Sequence, residues 1–322
     1  MHFFAKFSKE STMTIFCTGA TGLIGYNFVL AAAGAGHRVV AVCGKNSLPN
    51  IAGAESLRLD LTDSAALQRA VLDVFPDAIV NCAAIASPAD VDKNPELAEK
   101  LNARMPEVLA QLANHIGARL IHLSTDMVFD GSAAPYANTD VPMPATLYGT
   151  TKLMAEKFVL KAAAPVSVVL RLSHVSGNSL TTRRSLHEKL LRAWASGQKA
   201  RCRTDEIKCP LSASVLADLL LEICLRPKLS GVYHYAGASA LSRYEMAARI
   251  AAHFGLDAEK FVEPISGGSP VDLTLDCGAL LSRVKTPSTP FAELLEEMQV
   301  PADLRGWLAA EGGKLPMRRF KL

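Results

Sequence analysis

The chain has 322 residues, 49% of them hydrophobic and 20% charged, with a formal net charge of +3; that length suits one large α/β domain carrying a smaller lobe. Its apolar residues fall in short runs cut by Gly, Pro or charge, none near the ~20 residues of a membrane span, so no membrane partner is expected. The charge is small and dispersed, with no basic stripe interleaved with aromatics, which argues against nucleic acid.

The opening MHFFAKFSKESTM has no apolar h-region and no small-residue cleavage site, so residues 1–12 are expected to be a disordered extension and not a secretory signal. From Thr14 to Leu172, short β-branched runs alternate with longer helical stretches. TIFCT, RVVAV, SLRL, AIVNC, RLIHL and VSVVLRL are the strand candidates, and residues 64–75 and 95–115 carry helical periodicity. Strands apolar on both faces, alternating with helices, predict an α/β fold: a doubly wound parallel sheet, covered on both sides. Beyond about residue 175 the pattern loosens into a basic helix (185–196), a polar loop (199–211), a helix (212–225), a short strand VYHYA, a helix (242–254) and an irregular tail. Residues 13–175 are therefore assigned to the doubly wound domain, which the glycine motif described next marks as dinucleotide-binding. Residues 176–322 are assigned mainly to a smaller substrate lobe over the C-terminal edge of the sheet, with returns of the chain to the first domain left open.

The first strand runs into TGATGLIG, placing Gly19, Gly22 and Gly25 three residues apart at the opening of a helix. Glycines let the backbone turn tightly and approach a pyrophosphate, whose charge the helix N-terminus favours. The strand before the motif and the helix after it give three glycines their meaning. The second strand ends in VVAVCGKNS, which offers no carboxylate to grip both ribose hydroxyls but does offer Lys45. A cation there suits a 2′-phosphate, so NADP(H) is expected ahead of NAD(H); a solvated loop lysine is the plainer alternative. Asp60, at the end of LRLDLTD, is placed where an adenine would rest, or serves only the start of the next helix beside Asp63.

The fourth strand ends in small residues (NCAA, 81–84) and the fifth in hydroxyls (HLSTDMVFDG, 122–131). YGTTK follows, with Tyr148 and Lys152 one helical turn apart on one face, where an ammonium can stabilise a phenolate. TGxxGxxG, NxAA, a Ser/Thr after the fifth strand and YxxxK, in that order, resemble the extended short-chain dehydrogenase/reductases, a Rossmann-type fold. STDMVFDG, YGTTKLMAEK, VLRLSHVSG, GVYHYAG, SRYEMAARIA and LDCGALLS narrow the resemblance to the dTDP-4-dehydrorhamnose reductase family, which includes the similar regulatory beta subunit of methionine adenosyltransferase. It extends over almost the whole chain from residue 13.

The resemblance implies NADP(H)-dependent reduction of a 4-keto-deoxy nucleotide sugar. Tyr148 would be the general acid, Lys152 would lower its pKa and hold the nicotinamide ribose, and Thr125, with Asp126, would face the substrate. Thr21, Gly22, Leu23 and Ile24 would cover the pyrophosphate, Asp60 and Leu61 the adenine, Cys82, Ala83 and Ala84 the adenosine side, and Val175 the nicotinamide end. His174 reads as a pocket-lining residue, since the proton donor is already present.

Related reductases usually carry a tyrosine where this chain has Met127, often an Arg-Pro pair where it reads SPVDLTLD, and a Gly/Arg-x-Pro-Thr stretch of which DEIKCPLSAS keeps only part. These departures favour a rival: a regulatory subunit that binds NADP(H) and a partner enzyme without turnover. A dehydratase or epimerase is the third alternative, although dehydratases of this superfamily need an Asp-Glu pair where Asp126 is followed by Met127. The seven cysteines (17, 43, 82, 202, 209, 224 and 277) form no CxxC pair. They read as core residues of a reduced, cytoplasmic protein, and no metal site is expected. A small-molecule nucleotide sugar is the expected partner, with a homodimer left open.

Overall fold

The computed structural model of the chain describes residues 12–269 and 271–316, so the expected N-terminal extension lies outside the described residues apart from Thr12. The first half runs β1 (Thr14–Thr18), α1 (Leu23–Gly34), β2 (Arg38–Cys43), β3 (Ala54–Arg58), α2 (Ser64–Val74), β4 (Ala78–Asn81), α3 (Pro88–Lys93), α4 (Pro95–Glu99), a π-helical turn (Lys100–Arg104), α5 (Met105–Ile116), β5 (Arg119–Thr125), α6 (Leu147–Ala163) and β6 (Ser167–Leu172). The second half runs β7 (Val175–Ser176), α7 (Leu186–Ala195), β8 (Ala200–Arg203), β9 (Glu206–Lys208), β10 (Leu211–Ser212), α8 (Ala213–Cys224), β11 (Gly231–Tyr235), β12 (Leu241–Ser242), α9 (Arg243–His253), α10 (Ala258–Phe261), β13 (Val262–Ile265) and β14 (Val271–Asp272). Short helices at Gly278–Leu281, Phe291–Glu297 and Arg305–Ala310 follow.

Seven strands form one parallel sheet in the order β11-β6-β5-β4-β1-β2-β3. Its strands are apolar on both faces because both faces are covered. Ile15, Cys17, Val39 and Ala41 pack with α1 and α8, while Phe16, Val40 and Val42 pack with α2, α5 and α6. β3 at one edge is mostly exposed, in keeping with its polar AESLR sequence. A separate core, built around Trp194, Phe254 and Phe291, supports the small lobe. The cysteines are free thiols, and no helix among the described residues is long and apolar enough to cross a membrane.

Three segments differ from the sequence expectation. The helix expected over 95–115 is interrupted by the π-helical turn: Pro106 has no N–H to give the carbonyl four residues back, and Met105 N–H bonds to the carbonyl of Lys100 instead. The polar loop at 199–211 contains β8, β9 and β10, which are two to four residues long, too short to show alternation, and pair with β13, with β12 and β14, and with β7. The VYHYA strand, read as part of the small lobe, lies in the main sheet as β11, register-matched to β6 from Gly231 opposite Val168 to Tyr235 opposite Leu172.

Helix α6 is started by Thr146, whose hydroxyl accepts the N–H of Gly149 at 3.1 Å. Gly149 itself lies against the backbone of Met127, in the turn after β5. A Cβ at 149 would sit 3.0 Å from the Met127 carbonyl carbon and 3.0 Å from Pro144 Cβ, with the Met127 oxygen closer still. The glycine thus sets how near the first turn of α6 comes to the end of β5. Gly149→Ala is expected to cost about 1–3 kcal/mol, the usual range for forcing atoms into a filled site, measured as a lower midpoint in thermal or urea unfolding. An unchanged midpoint would show that the two segments can part freely.

Candidate active site

The glycine loop joins β1 to α1. Gly19 has φ +65, and a Cβ on it would lie 2.7 Å from the backbone nitrogen of Ala83, so the loop and the end of β4 touch through their backbones. Gly22 is the N-cap of α1, which has no side-chain cap and no acidic residue in its first turn. The first N–H groups of α1 are therefore left for a ligand, and the site favours an anion. Thr21 is buried; Leu23 and Ile24 are half-buried and Gly25 is buried at the helix start. Cys82 and Ala83 are half-buried and Ala84 is exposed, just beyond β4.

Lys45 is exposed two residues past β2. Asp60 is exposed and accepts from the Thr62 N–H at 2.9 Å and hydroxyl at 2.8 Å, which hold its carboxyl below the usual range. The cap of α2 is Asp63, through Ala66 N–H at 2.9 Å. Asp60 thus shapes the turn in front of the helix, with half-buried Leu61 beside it. Val175 is half-buried in β7, which pairs with β10.

The other cluster is built by one face of α6. Tyr148, Lys152 and Glu156 stand at four-residue spacing and are all buried. Opposite them stand residues at the end of β5: Thr125 lies beside the Tyr148 phenol, His122 Nε2 lies 3.3 Å from Lys152 Nζ, and Ser124 donates to Glu156. Burial first, and then the charge of Asp126, push the phenol up to about 12, while the Thr125 hydroxyl works the other way. Burial brings the Lys152 ammonium down to about 8 against the opposing influence of Glu156 and Cys82. Both groups are thus held in their uncharged forms more than they would be in water. His122 stays neutral, pushed well down by burial and by Lys152.

Behind Lys152 runs a buried polar chain. His122 Nδ1 is 3.0 Å from Asn81 Nδ2, Asn81 accepts from the Thr18 hydroxyl at 2.6 Å, and that hydroxyl accepts the Ala83 N–H at 3.3 Å. The lysine is connected in this way to the backbone that abuts Gly19. Asn102, in the π-helical turn, pairs both backbone groups of Ile85 (2.8 and 3.0 Å) and reaches Thr151 at 3.2 Å, tying the loop after β4 to α6. Met127 packs with Ile85, Val91, Ala98 and Tyr148.

On the other side of the phenol, Asp126 is enclosed. Lys208 Nζ lies 2.9 Å from both of its oxygens, Ser173 donates to it at 3.0 Å and Thr125 at 3.2 Å. His174 Nδ1 is 3.2 Å from Arg243, which also bonds Glu206; burial, Arg243, Lys208 and Lys189 keep this ring neutral. Asn102, His122 and Lys208 were not singled out from the sequence. His122 had a signal, since it shares the inward parity of Ser124 on β5. Lys208 had none, because its partner is 82 positions away.

The profile of the RmlD substrate binding domain family matches residues 13–293. Methionine adenosyltransferase 2 subunit beta of Mus musculus is 31% identical over 297 residues, 89% of this chain and 87% of that protein. A dTDP-4-dehydrorhamnose reductase of Mycobacterium tuberculosis is 31% identical over 254 residues, 77% of this chain and 78% of that one. Among solved structures, dTDP-4-dehydrorhamnose reductase of Bacillus anthracis in complex with NADP superposes with a TM-score of 0.73 at 21% identity, covering 89% of this chain and 98% of that one. Sequence, fold and the α6 constellation agree, and the chain belongs to the RmlD substrate binding domain family, the family of dTDP-4-dehydrorhamnose reductase.

Proposed function

We propose that the protein is an NADP(H)-dependent reductase of a 4-keto-deoxy nucleotide sugar. The observation that carries this reading is the convergence of Thr125, Tyr148 and Lys152, all buried, beside a glycine loop whose helix N-terminus has no side-chain cap. The Gly19 turn and the first N–H groups of α1, with Thr21, Gly22, Leu23, Ile24 and Gly25 around them, would hold the pyrophosphate. Lys45 would take the 2′-phosphate, Asp60 and Leu61 the adenine, Cys82, Ala83 and Ala84 the adenosine side, and Val175 the nicotinamide end. When bound, the nicotinamide supplies the hydride. Tyr148 gives its proton to the developing alkoxide, Thr125 hydrogen-bonds the same oxygen, and Lys152 supports the phenolate that remains. A phenol held near 12 keeps its proton at neutral pH and needs such support to release it. The seven unpaired cysteines fit a reducing, cytoplasmic setting.

The second reading is a regulatory subunit that binds the dinucleotide and a partner enzyme, favoured by the 31% identity to methionine adenosyltransferase 2 subunit beta over 89% of the chain and by Met127. Purified protein given NADPH and a panel of dTDP-4-keto sugars separates the two. Oxidation of NADPH with one sugar supports the reductase; firm NADPH binding with no oxidation on any sugar supports the subunit.

Tyr148→Phe is expected to lower turnover by about 10²–10⁴-fold, the usual worth of a positioned proton donor, with NADPH affinity close to normal. Lys152→Ala should lower both turnover and affinity, and a parallel NADPH titration reads the difference. Lys45→Glu should weaken NADPH and relatively favour NADH, because a carboxylate repels a 2′-phosphate and accepts from a free 2′-hydroxyl. An unchanged ratio of the two dissociation constants would make Lys45 a solvated loop residue.

A further inference from the structure

Lys208 comes from the small lobe, at the end of β9, and crosses to the end of β5. Its ammonium sits 2.9 Å from each oxygen of Asp126, with both side chains about 95% buried. The neighbouring backbone follows the same path: Cys209 N–H donates to Ser173 at 3.0 Å and Leu211 N–H to the His174 carbonyl at 2.9 Å, and β10 pairs with β7. Asp126 also stands between two residues that meet Tyr148: Thr125, which donates to it at 3.2 Å, and Met127, which packs with the tyrosine, so its charge bears on the phenol. A carboxylate beside a phenol opposes loss of the phenol's proton, and a cation on that carboxylate removes part of the opposition.

We propose that Lys208 is a positioning residue for Tyr148: by pairing with Asp126 from the small lobe, it governs how readily the phenol gives up its proton. The inference rests on Tyr148 as the proton donor of the reading above, and it makes the donor's strength depend on the lobe being seated against the sheet. Other polar groups meet Tyr148 from each side. Thr125 and Asp126 face it from β5, and Lys152 shares its helix face, with Glu156, Cys82 and His122 around the lysine. Met127, Val91 and Ala98 complete the enclosure with apolar surface. Asp126 is the carboxylate that acts on the phenol itself, Glu156 lying a turn further on beside Lys152, and Lys208 is the paired cation of Asp126.

The test reads the phenol directly and needs no substrate. Protein labelled with 3-fluorotyrosine, whose phenol is more acidic than that of tyrosine, is titrated by fluorine NMR, and Tyr148→Phe assigns the resonance among the six tyrosines. Lys208→Met should raise the Tyr148 midpoint by roughly one pH unit or more, the usual effect of uncovering a neighbouring charge. Asp126→Asn should lower it, and Lys208→Arg should stay near wild type. In the Asp126→Asn background, Lys208→Met should have no further effect, and this double variant leaves no unpaired buried charge should the single variant fail to fold. An unmoved midpoint in Lys208→Met, or an equal shift with and without Asp126, would overturn the proposal. A merely structural latch would change the melting temperature and leave the titration in place. If the titration behaves as expected while wild-type protein oxidises NADPH with no keto sugar, the reductase reading fails and the electrostatic coupling stands.

Discussion

The position of every reactive group here depends on how α6 is held against β5 and β6, and that is the work of Glu156. Its carboxylate, buried at the third step of the Tyr148–Lys152–Glu156 face, accepts from Arg171 Nη2 at 2.7 Å and Nε at 3.0 Å and from the Ser124 hydroxyl. Arg171 in turn lies over the ring of Phe129 at 5.2 Å and reaches His234 on β11 at 3.3 Å. The pair joins α6, β5, β6 and β11 at a single point. Such a pair adds little net stability compared with well-packed apolar groups, but removing one partner strands a buried charge at a cost of about 3–5 kcal/mol. What it fixes is register. A helix displaced along its axis would lose Glu156 from Arg171, Lys152 from His122 and Tyr148 from Thr125 together.

The site that results is bordered by two kinds of material. Around the glycine loop it is backbone: the Gly19 turn against Ala83, and the first N–H groups of α1. Beyond Tyr148 it is side chains drawn from distant parts of the chain, with Asp126, Ser173 and Lys208 in one buried network. The first is a fixed cradle that one general ligand can use. The second depends on particular pairings, and it includes Met127 and the DEIKCPLSAS stretch, from which Lys208 comes.

That division explains how much could be read beforehand. The glycine spacing was legible because only glycine allows the close approach of Gly19 to Ala83, and the Tyr148–Lys152 pair because helical geometry fixes what lies four residues on. The parallel sheet was legible from strands apolar on both faces. Lys208 was not, since nothing local marks a lysine whose carboxylate partner folds in from 82 positions earlier. The β8 to β10 strands escaped notice because two to four residues give no period to detect. The π-helical turn was hidden by continuous helical periodicity, although Pro106, two residues past its end, stood as a warning.

Strand β11 and helix α8 carry a consequence for biosynthesis. Both belong to the sheet domain, yet they are encoded after α7 and the first small-lobe strands. Leu216, Leu219, Leu220 and Ile223 of α8 share a fully buried cluster with Ile15, Cys17 and Phe28 near the start of the chain. Until residues 213–235 have left the ribosome, that face of the nascent sheet is covered by α1 alone and β6 is a bare edge, open to pairing with another chain. The sheet domain cannot finish folding before most of the polypeptide has been made, so a premature stop between β6 and α8 yields an aggregation-prone fragment and not a smaller working domain.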